Sequence, residues 1–386
     1  MDDLFNADDI KVEMPNKVLS DNVAKITVIG VGGGGCNMVN HMIKEGCNKV
    51  DLISANTDRQ VLEISRAPKK IQLGAKLTKG LGAGMKPEIG RDSAIESYED
   101  IKAALDGADI VFIAAGLGGG TGTGAAAIIA KAAKEVGALT VSVVTKPFSW
   151  EGKKRGGLAN LGLEELKKVS DSIIVVPNDR LLEIIDDTVG MKDAFKIIDN
   201  ILYQAVNGMS EVILNPGNSD INTDFADVKT IMQHRGMALM GIGRAKGEGA
   251  AQKALEDAID SPLLDKVSLS GAKGILIHFN IHPQVPLLAI NDVMGNINDR
   301  MDSNAEIIFG TSSDRGLDKD EVKITIVATG FESKNDSTED RLKENDEKSG
   351  TSVSPNDDNY LDIPPLMRDY VVQYNISSTS NTPEIQ

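Results

Sequence analysis

The chain has 386 residues, with 57 acidic against 41 basic side chains and a formal net charge of -16. That length suits about two domains with a well-buried core. The acidic surface removes the usual electrostatic basis for binding nucleic acid or an anionic membrane. Cys36 and Cys47, the only cysteines, lack metal-ligand spacing and point to a reducing compartment. No stretch approaches the ~18 apolar residues of a membrane span. The acidic start MDDLFNADDI lacks the positive and then apolar pattern of a signal peptide, so a cytoplasmic protein without direct membrane insertion is expected.

Residues 1–22 are polar and aperiodic and read as a flexible arm. From Ala24, short apolar runs alternate with helical patterns. KITVIG is followed by a helix from about Asn37, VDLISAN by a short helix, and ADIVFIAAG by an alanine-rich helix; LTVSVVT and DSIIVVPN come after. Such alternation predicts a parallel sheet covered on both faces, an α/β Rossmann-like domain over residues 23–190. The amphipathic stretch DAFKIIDNILYQAVNGMSEVILN predicts a long central helix over 191–215, ended by Pro216 and Gly217. The runs GMALMGIGRAKG, KGILIHFNI, AEIIFGTSSD and KITIVATG, with a helix near 286–300, predict a smaller α+β domain over 216–331. Residues 332–358 carry many charges and few large apolar groups, which predicts a disordered acidic linker. The remainder, 359–386, contains the apolar motif YLDIPPLMRDY.

The chemistry gathers in the first domain. KITVIG runs into Gly30-Val31-Gly32-Gly33-Gly34-Gly35, a G-x-G-x-x-G between strand and helix. A second glycine-rich segment, AAGLGGGTGTGAAA, ends the third apolar run. A nicotinamide site needs one such turn, with an acid such as Asp58 after the second strand for the ribose. A P-loop is excluded because three alanines, and no lysine, follow Gly124. Two glycine loops at the carboxyl ends of parallel strands present backbone N–H groups and helix N-termini to a polyphosphate. Each charge-assisted bond there contributes ~1.5–3 kcal/mol. Thr121 and Thr123 would add hydroxyl donors. Close helix–sheet packing would account for one or two of these glycines, not for the whole set.

Three further groups have two readings each. Lys153-Lys154-Arg155, the one basic cluster, is a solvated turn or a ligand contact. Phe195 and Asp199 lie four apart on one face of the long helix, as core and surface or as a paired site. Asp224 and Asp227 share a face if Asn222 or Thr223 caps a helix, where each acid gains ~0.3–1 kcal/mol from the helix dipole.

GGGTGTG at 118–124 matches the tubulin and FtsZ signature. GVGGGGCN, NTD, TKGLGAG, TKPFSWEGKKR, VPNDR, DAF and NTDFADV stand in the order of the FtsZ family, the bacterial tubulin-like cell-division GTPases. The chain resembles that family over about residues 24–330, and YLDIPPLMRDY resembles the family's C-terminal peptide, which docks onto membrane-tethering and regulatory partners.

The resemblance implies a GTP-binding domain, a central helix and a C-terminal GTPase-activating domain, with GTP/GDP and Mg2+ as cofactors. It implies phosphate contacts from Gly32, Gly33, Gly34, Gly35, Cys36 and Asn37, and from Gly118, Gly119, Gly120, Thr121 and Gly122. Thr57, Gly82, Ala83 and Gly84 join them. Glu151 and Arg155 would contact ribose and phosphate, and Asn178 would lie near the sugar or base. Phe195 would stack on the base while Asp199 accepts guanine's N1–H and N2–H, favouring GTP over ATP. Asn222, Asp224 and Asp227 would polarise the attacking water. The long helix carries them roughly 30 Å from the pocket at ~1.5 Å per residue, so they would serve a neighbouring subunit in a head-to-tail homopolymer. The filament would assemble at mid-cell on the inner face of the membrane. Leu361, Asp362, Ile363, Pro364, Leu366, Met367 and Arg368 would hold the partners, although Leu366-Met367 fills a place where the commoner pattern has an aromatic. Cys36 stands where many relatives carry glycine, and it is expected to bring a thiol near the nucleotide.

Overall fold

The apolar run ITVIGV forms strand β1 (Ile26–Val31), buried along its whole length, and passes straight into helix α1 (Gly32–Lys44). The structure is a computed structural model that describes residues 24–331 except 48, 184, 186, 187, 215–224, 235, 262–270, 303 and 315. The N-terminal arm, Asn222, Asp224, the acidic linker and the peptide residues Leu361 to Arg368 therefore lie outside the described residues. Helix α1 begins five residues before the expected start at Asn37, so glycine, a poor helix former, supplies its first turn. Tertiary contact overrides propensity there, as the site geometry below makes plain.

The chain continues with β2 (Asp51–Asn56), α2 (Arg59–Ile64), β3 (Lys69–Gln72), α3 (Ala75–Thr78), α4 (Pro87–Glu96) and α5 (Tyr98–Leu105). After these come β4 (Ile110–Gly116), α6 (Thr121–Glu135), β5 (Leu139–Lys146), α7 (Lys153–Val169), β6 (Ser172–Pro177) and α8 (Met191–Leu214). The last elements are α9 (Phe225–Met232), β7 (Met237–Lys246), α10 (Ala250–Ile259), β8 (Gly274–Ile281), α11 (Leu287–Asn298), β9 (Glu306–Ser313) and β10 (Glu321–Phe331). Short 3-10 turns at Ser149–Glu151 and Asn178–Glu183 follow β5 and β6.

The ten strands of the described residues form one sheet in the order β3-β2-β1-β4-β5-β6-β7-β10-β8-β9. The pairs among β2, β1, β4, β5 and β6 are parallel, as the apolar runs predicted, and β3, a short edge strand KKIQ that no apolar run announced, joins β2 in parallel. Strand order reverses between β1 and β4, and that switch point opens a crevice at the carboxyl ends of both strands. The C-terminal strands do not form a separate sheet: β7 joins β6 in parallel through Ile173 to Met237 and Ile174 to Ala238. Beyond it β10 is antiparallel to both β7 and β8, and β8 runs parallel to β9. The residues up to Phe331 thus form one compact unit.

The helices settle on the sheet by their apolar faces. On one side Met38, Val39 and Met42 of α1 pack with Ile198, Leu202, Val206 and Met209 of α8. On the other, Ile129 and Ala133 of α6 pack with Ile101 and Leu105 of α5. At 24 residues α8 extends roughly 36 Å, from the crevice to the far end of the core. Helices α10 and α11 cover the C-terminal strands through Ala254, Leu255, Ile290 and Val293. The carboxylate of Glu321 is buried between Arg244 and Lys246 of the adjacent strand, and Arg244 foremost holds it down to about 2.

Candidate functional site

A cavity of about 570 Å³ opens at the β1/β4 switch point, large enough for a nucleotide. The first two turns of α1 supply Gly33, Gly34 and Asn37, and the β4–α6 connection with the start of α6 supplies Gly116, Gly119, Gly120, Thr121 and Gly122. Leu81, Gly82, Ala83, Gly84 and Met85 form a third side. Glu151, Arg155, Asn178, Phe195 and Asp199 close the fourth, so one cavity gathers most of the predicted residues.

The glycines divide by what a Cβ would meet. At Gly33 and Gly119 it would meet nothing within 4 Å, which leaves the backbone bare to the cavity. At Gly30 it would lie 2.2 Å from the Gly35 carbonyl oxygen, at Gly35 2.2 Å from that of Ala114, at Gly122 2.4 Å from that of Gly116, and at Gly124 1.9 Å from that of Pro87. Close packing therefore claims four of these glycines, more than the one or two expected from sequence. Gly32 and Gly118 have φ of +72° and +98°, which only glycine adopts without strain, so they shape the turns from behind the wall. Neither α1 nor α6 has a side-chain cap, so the N–H groups of both first turns remain for an anion.

Two hydroxyls and a thiol take places other than those expected. Thr57 is fully buried, and its hydroxyl meets that of Thr121 at 2.6 Å, so it supports Thr121 rather than facing the cavity. The Thr123 hydroxyl accepts the Gly118 N–H at 2.9 Å and is turned inward. Cys36 is fully buried, with its Sγ 3.8 Å from the Gly30 carbonyl oxygen and 3.9 Å from that of Ala55. Burial pushes the thiol above its ordinary pKa. The thiol thus belongs to the core and not to the cavity wall: the helical turn of α1 that exposes Gly33 and Asn37 points Cys36 at the sheet.

The opposite end of the cavity is built from side chains. Arg155 Nη1 donates to Glu151 Oε2 at 2.6 Å, and Glu151 Oε1 accepts the Phe148 N–H at 2.9 Å. Phe195 is 41% exposed and meets Phe148 edge-on at 5.9 Å, which leaves a ring face for an aromatic ligand. One turn along α8, burial pushes the Asp199 carboxyl up to about 7. Asn178 is 5% exposed and its Oδ1 has no protein hydrogen-bond partner, an orphaned acceptor that a sugar or base donor would satisfy. The bare glycines and this acceptor fit a purine nucleotide with its phosphates on the α1 and α6 turns.

The third side is a strained loop. Lys79, Gly80, Gly82, Gly84 and Met85 all have left-handed φ, and Lys79 and Met85 adopt it despite their side chains. Leu81, 85% exposed, bridges to Asp58, whose Oδ1 caps α2 by accepting the Gln60 N–H at 2.9 Å. Asp227 sits exposed on α9 and does not line the cavity. Among the described residues no group of three or more His, Cys, Asp or Glu could hold a metal ion.

Sequence reasoning missed Asn56, Thr145, Pro147, Ile198 and Leu202 on the cavity wall and weighed Asp58 only as the ribose acid of a nicotinamide site. Ile198 and Leu202 stand three and seven residues after Phe195, on the face that already carried Asp199, so helical spacing contained that signal. Asn56 and Asp58 flank Thr57 and alternate with it along an extended chain. Thr145 and Pro147 carry no signal, because β5 enters the site without a glycine loop.

Residues 25–186 match the GTPase domain of the Tubulin/FtsZ family, and residues 236–332 match the C-terminal domain of the FtsZ family. Among solved structures the chain is similar to an empty FtsZ dimer from M. jannaschii. The identity is 45% and the TM-score 0.75, over 81% of this chain and 90% of that one. CetZ2 from Haloferax volcanii, solved as a GTPγS-bound protofilament, is similar in fold with TM-score 0.68 and 21% identity, over 85% of this chain and 100% of that one. The GDP-bound monomer of CetZ1 from the same organism shares the fold at TM-score 0.70 and 18% identity, over 84% of this chain and 100% of that one. With both of its domains matched and nearly half its residues identical to a solved FtsZ over most of its length, the chain belongs to the FtsZ family of tubulin-like GTPases.

Proposed function

We propose that this protein binds GTP in the switch-point cavity, polymerises head to tail, and hydrolyses GTP only where a second copy completes the site. One observation carries the reading. The carboxylates that line the cavity have other places: Asp58 caps α2, Glu151 holds Arg155, and Asp199 lies one turn from Phe195 on α8, at the end away from the α1 and α6 turns. None remains to orient a water at a γ-phosphate, whereas Asp227 stands unshielded on α9, outside the cavity. The segment from Asn222 through Asp224 to Asp227 follows the far end of α8, so a stacked neighbour is the one nucleotide it would reach.

In this mechanism backbone N–H groups at Gly33, Gly34 and Gly119 to Gly122 hold the phosphates, and Arg155 with Asn178 orients the sugar. Phe195 and Asp199 read guanine, and Asn222, Asp224 and Asp227 of the next subunit polarise the attacking water. A Mg2+ ion entering with the nucleotide would neutralise phosphate charge at the α1 and α6 turns. Hydrolysis leaves GDP at the joint and loosens it. We place the filament in the cytoplasm, at the cytokinetic ring of the division site, with the 360–370 peptide docking on membrane-tethering and regulatory division proteins. Light scattering with phosphate release after GTP addition tests the shared site. Specific activity is expected to fall on dilution below the assembly threshold, and constant specific activity would sink the reading.

The base end gives a signed pH dependence. The free Asp199 carboxyl carries its proton below about pH 7, while two guanine donors require an ionised acceptor. Binding must therefore expel that proton, and GDP affinity is expected to rise with pH through 7, losing about ten-fold per unit below it. Calorimetry in buffers of different ionisation heat reads the released proton. Asp199→Asn should flatten the profile, and an equally flat parent profile would refute the assignment.

A further inference from the structure

We infer that Asp179, which does not line the cavity, is a positioning residue for the nucleoside end of the site and acts through the turn Ser149–Glu151. The inference rests on the cavity being a guanine-nucleotide site. Both carboxylate oxygens of Asp179 are spent on one residue of the turn. Ser149 donates its backbone N–H to Oδ1 at 2.9 Å and its hydroxyl to Oδ2 at 2.5 Å.

The turn carries the groups around it. Its Glu151 holds Arg155 at 2.6 Å, and Phe148, at its start, is 3% exposed and props Phe195 edge-on while Trp150 stacks on it at 5.2 Å. Asp179 follows directly on Asn178, whose buried Oδ1 is orphaned at the cavity wall. Three site groups from α7, α8 and the connection after β6 are thus referred to one short turn, and Asp179 clamps that turn to Asn178. On its other side the turn runs into Gly152, at φ +104° with no atom within 4 Å of an added Cβ, a joint that offers no steric hold. Without the clamp the turn keeps its anchor at buried Phe148 but loses its tie to Asn178, so Glu151 and with it Arg155 can shift, and loss of fixed geometry weakens a multi-point site.

The test is calorimetric titration of GDP into the full chain. Asp179→Ala is expected to weaken binding about ten-fold or more, while Asp179→Asn, which keeps an acceptor for the Ser149 N–H, stays within about three-fold. Trp150 is the chain's single tryptophan, so its near-ultraviolet circular dichroism reports the turn. That band should diminish in Asp179→Ala and persist in Asp179→Asn. Ser149→Ala should weaken binding less, and the double variant should bind no more weakly than Asp179→Ala alone. Unchanged affinity in Asp179→Ala, or additive losses in the double variant, would overturn the inference; absence of GDP binding by the parent would overturn the site reading itself. Should Asp179→Ala fail to fold, Ser149→Ala still decides, because parent-like affinity and an unchanged Trp150 band in that variant would also overturn the inference.

Discussion

Asp224→Ala and Asp227→Ala are each expected to bind GTP as the parent does and to lose turnover by about a hundred-fold or more, the usual scale for removing a group that activates water. The expectation follows from where the cavity ends. On the proposed reading phosphates, sugar and base meet α1, α6, α7 and α8, and Asp227 lies outside the cavity wall. A stronger form of the test mixes two dead variants. Asp227→Ala keeps an intact cavity, and a variant unable to hold nucleotide keeps intact acids, so a mixed filament contains joints at which one intact half meets the other. Phosphate release from the mixture should exceed the sum of the two alone. If Asp227→Ala instead abolishes GTP binding, the acid belongs to its own subunit's cavity and the shared-site mechanism fails.

Gly33→Ala and Gly35→Ala, two residues apart on α1, should fail in opposite ways. At Gly33 the new methyl group enters open space in the cavity, and alanine lowers the entropy of the unfolded chain, so the free protein should gain up to about 1 kcal/mol. The same methyl stands where a phosphate approaches the backbone, and GDP affinity should fall at least about ten-fold through loss of a charge-assisted bond. At Gly35 the methyl would lie 2.2 Å from the Ala114 carbonyl oxygen and 2.8 Å from the Gly30 carbonyl carbon. Helix α1 must then lift from β1 and β4, at a cost of about 1–3 kcal/mol or more. Calorimetric melting with and without GDP separates the two outcomes. A melting loss in Gly33→Ala, or unchanged GDP affinity, would show that the backbone there is not the phosphate contact.

Much of this was legible in the sequence because β1, β2, β4, β5 and β6 are buried on both faces and read as apolar runs, whereas the exposed edge strand β3 left no such signal. The amphipathic face of α8 announced itself by period, and the two glycine loops announced an anion site by number. What escaped depends on distances between elements. Glycine's weak helix propensity hid the start of α1 at Gly32, since the price of a glycine turn is met by contact with Ala114, a residue eighty positions away. The inward turn of Cys36 follows from that same early start, because three helical residues after Gly33 the side chain faces the sheet. Thr123 looked like a second donor beside Thr121, yet two steps along a helix point to different sides. The joining of β7 to β6 rests on two residue pairs and leaves no trace in either strand's composition.

The unequal construction of the cavity has a consequence for how this GTPase could be altered. On the proposed reading its phosphate end is mostly main chain, with Asn37 and Thr121 beside the glycines, and main chain is reached by no lysine-directed reagent or acetylation and is removed by a side-chain substitution only through added atoms. Its base end rests on exchangeable side chains, with Phe195, Ile198, Asp199 and Leu202 all on one stripe of α8. On that reading nucleobase preference and triphosphate affinity are written on separate pieces of the chain, so re-engineering the choice of purine along one helix should leave the phosphate grip intact.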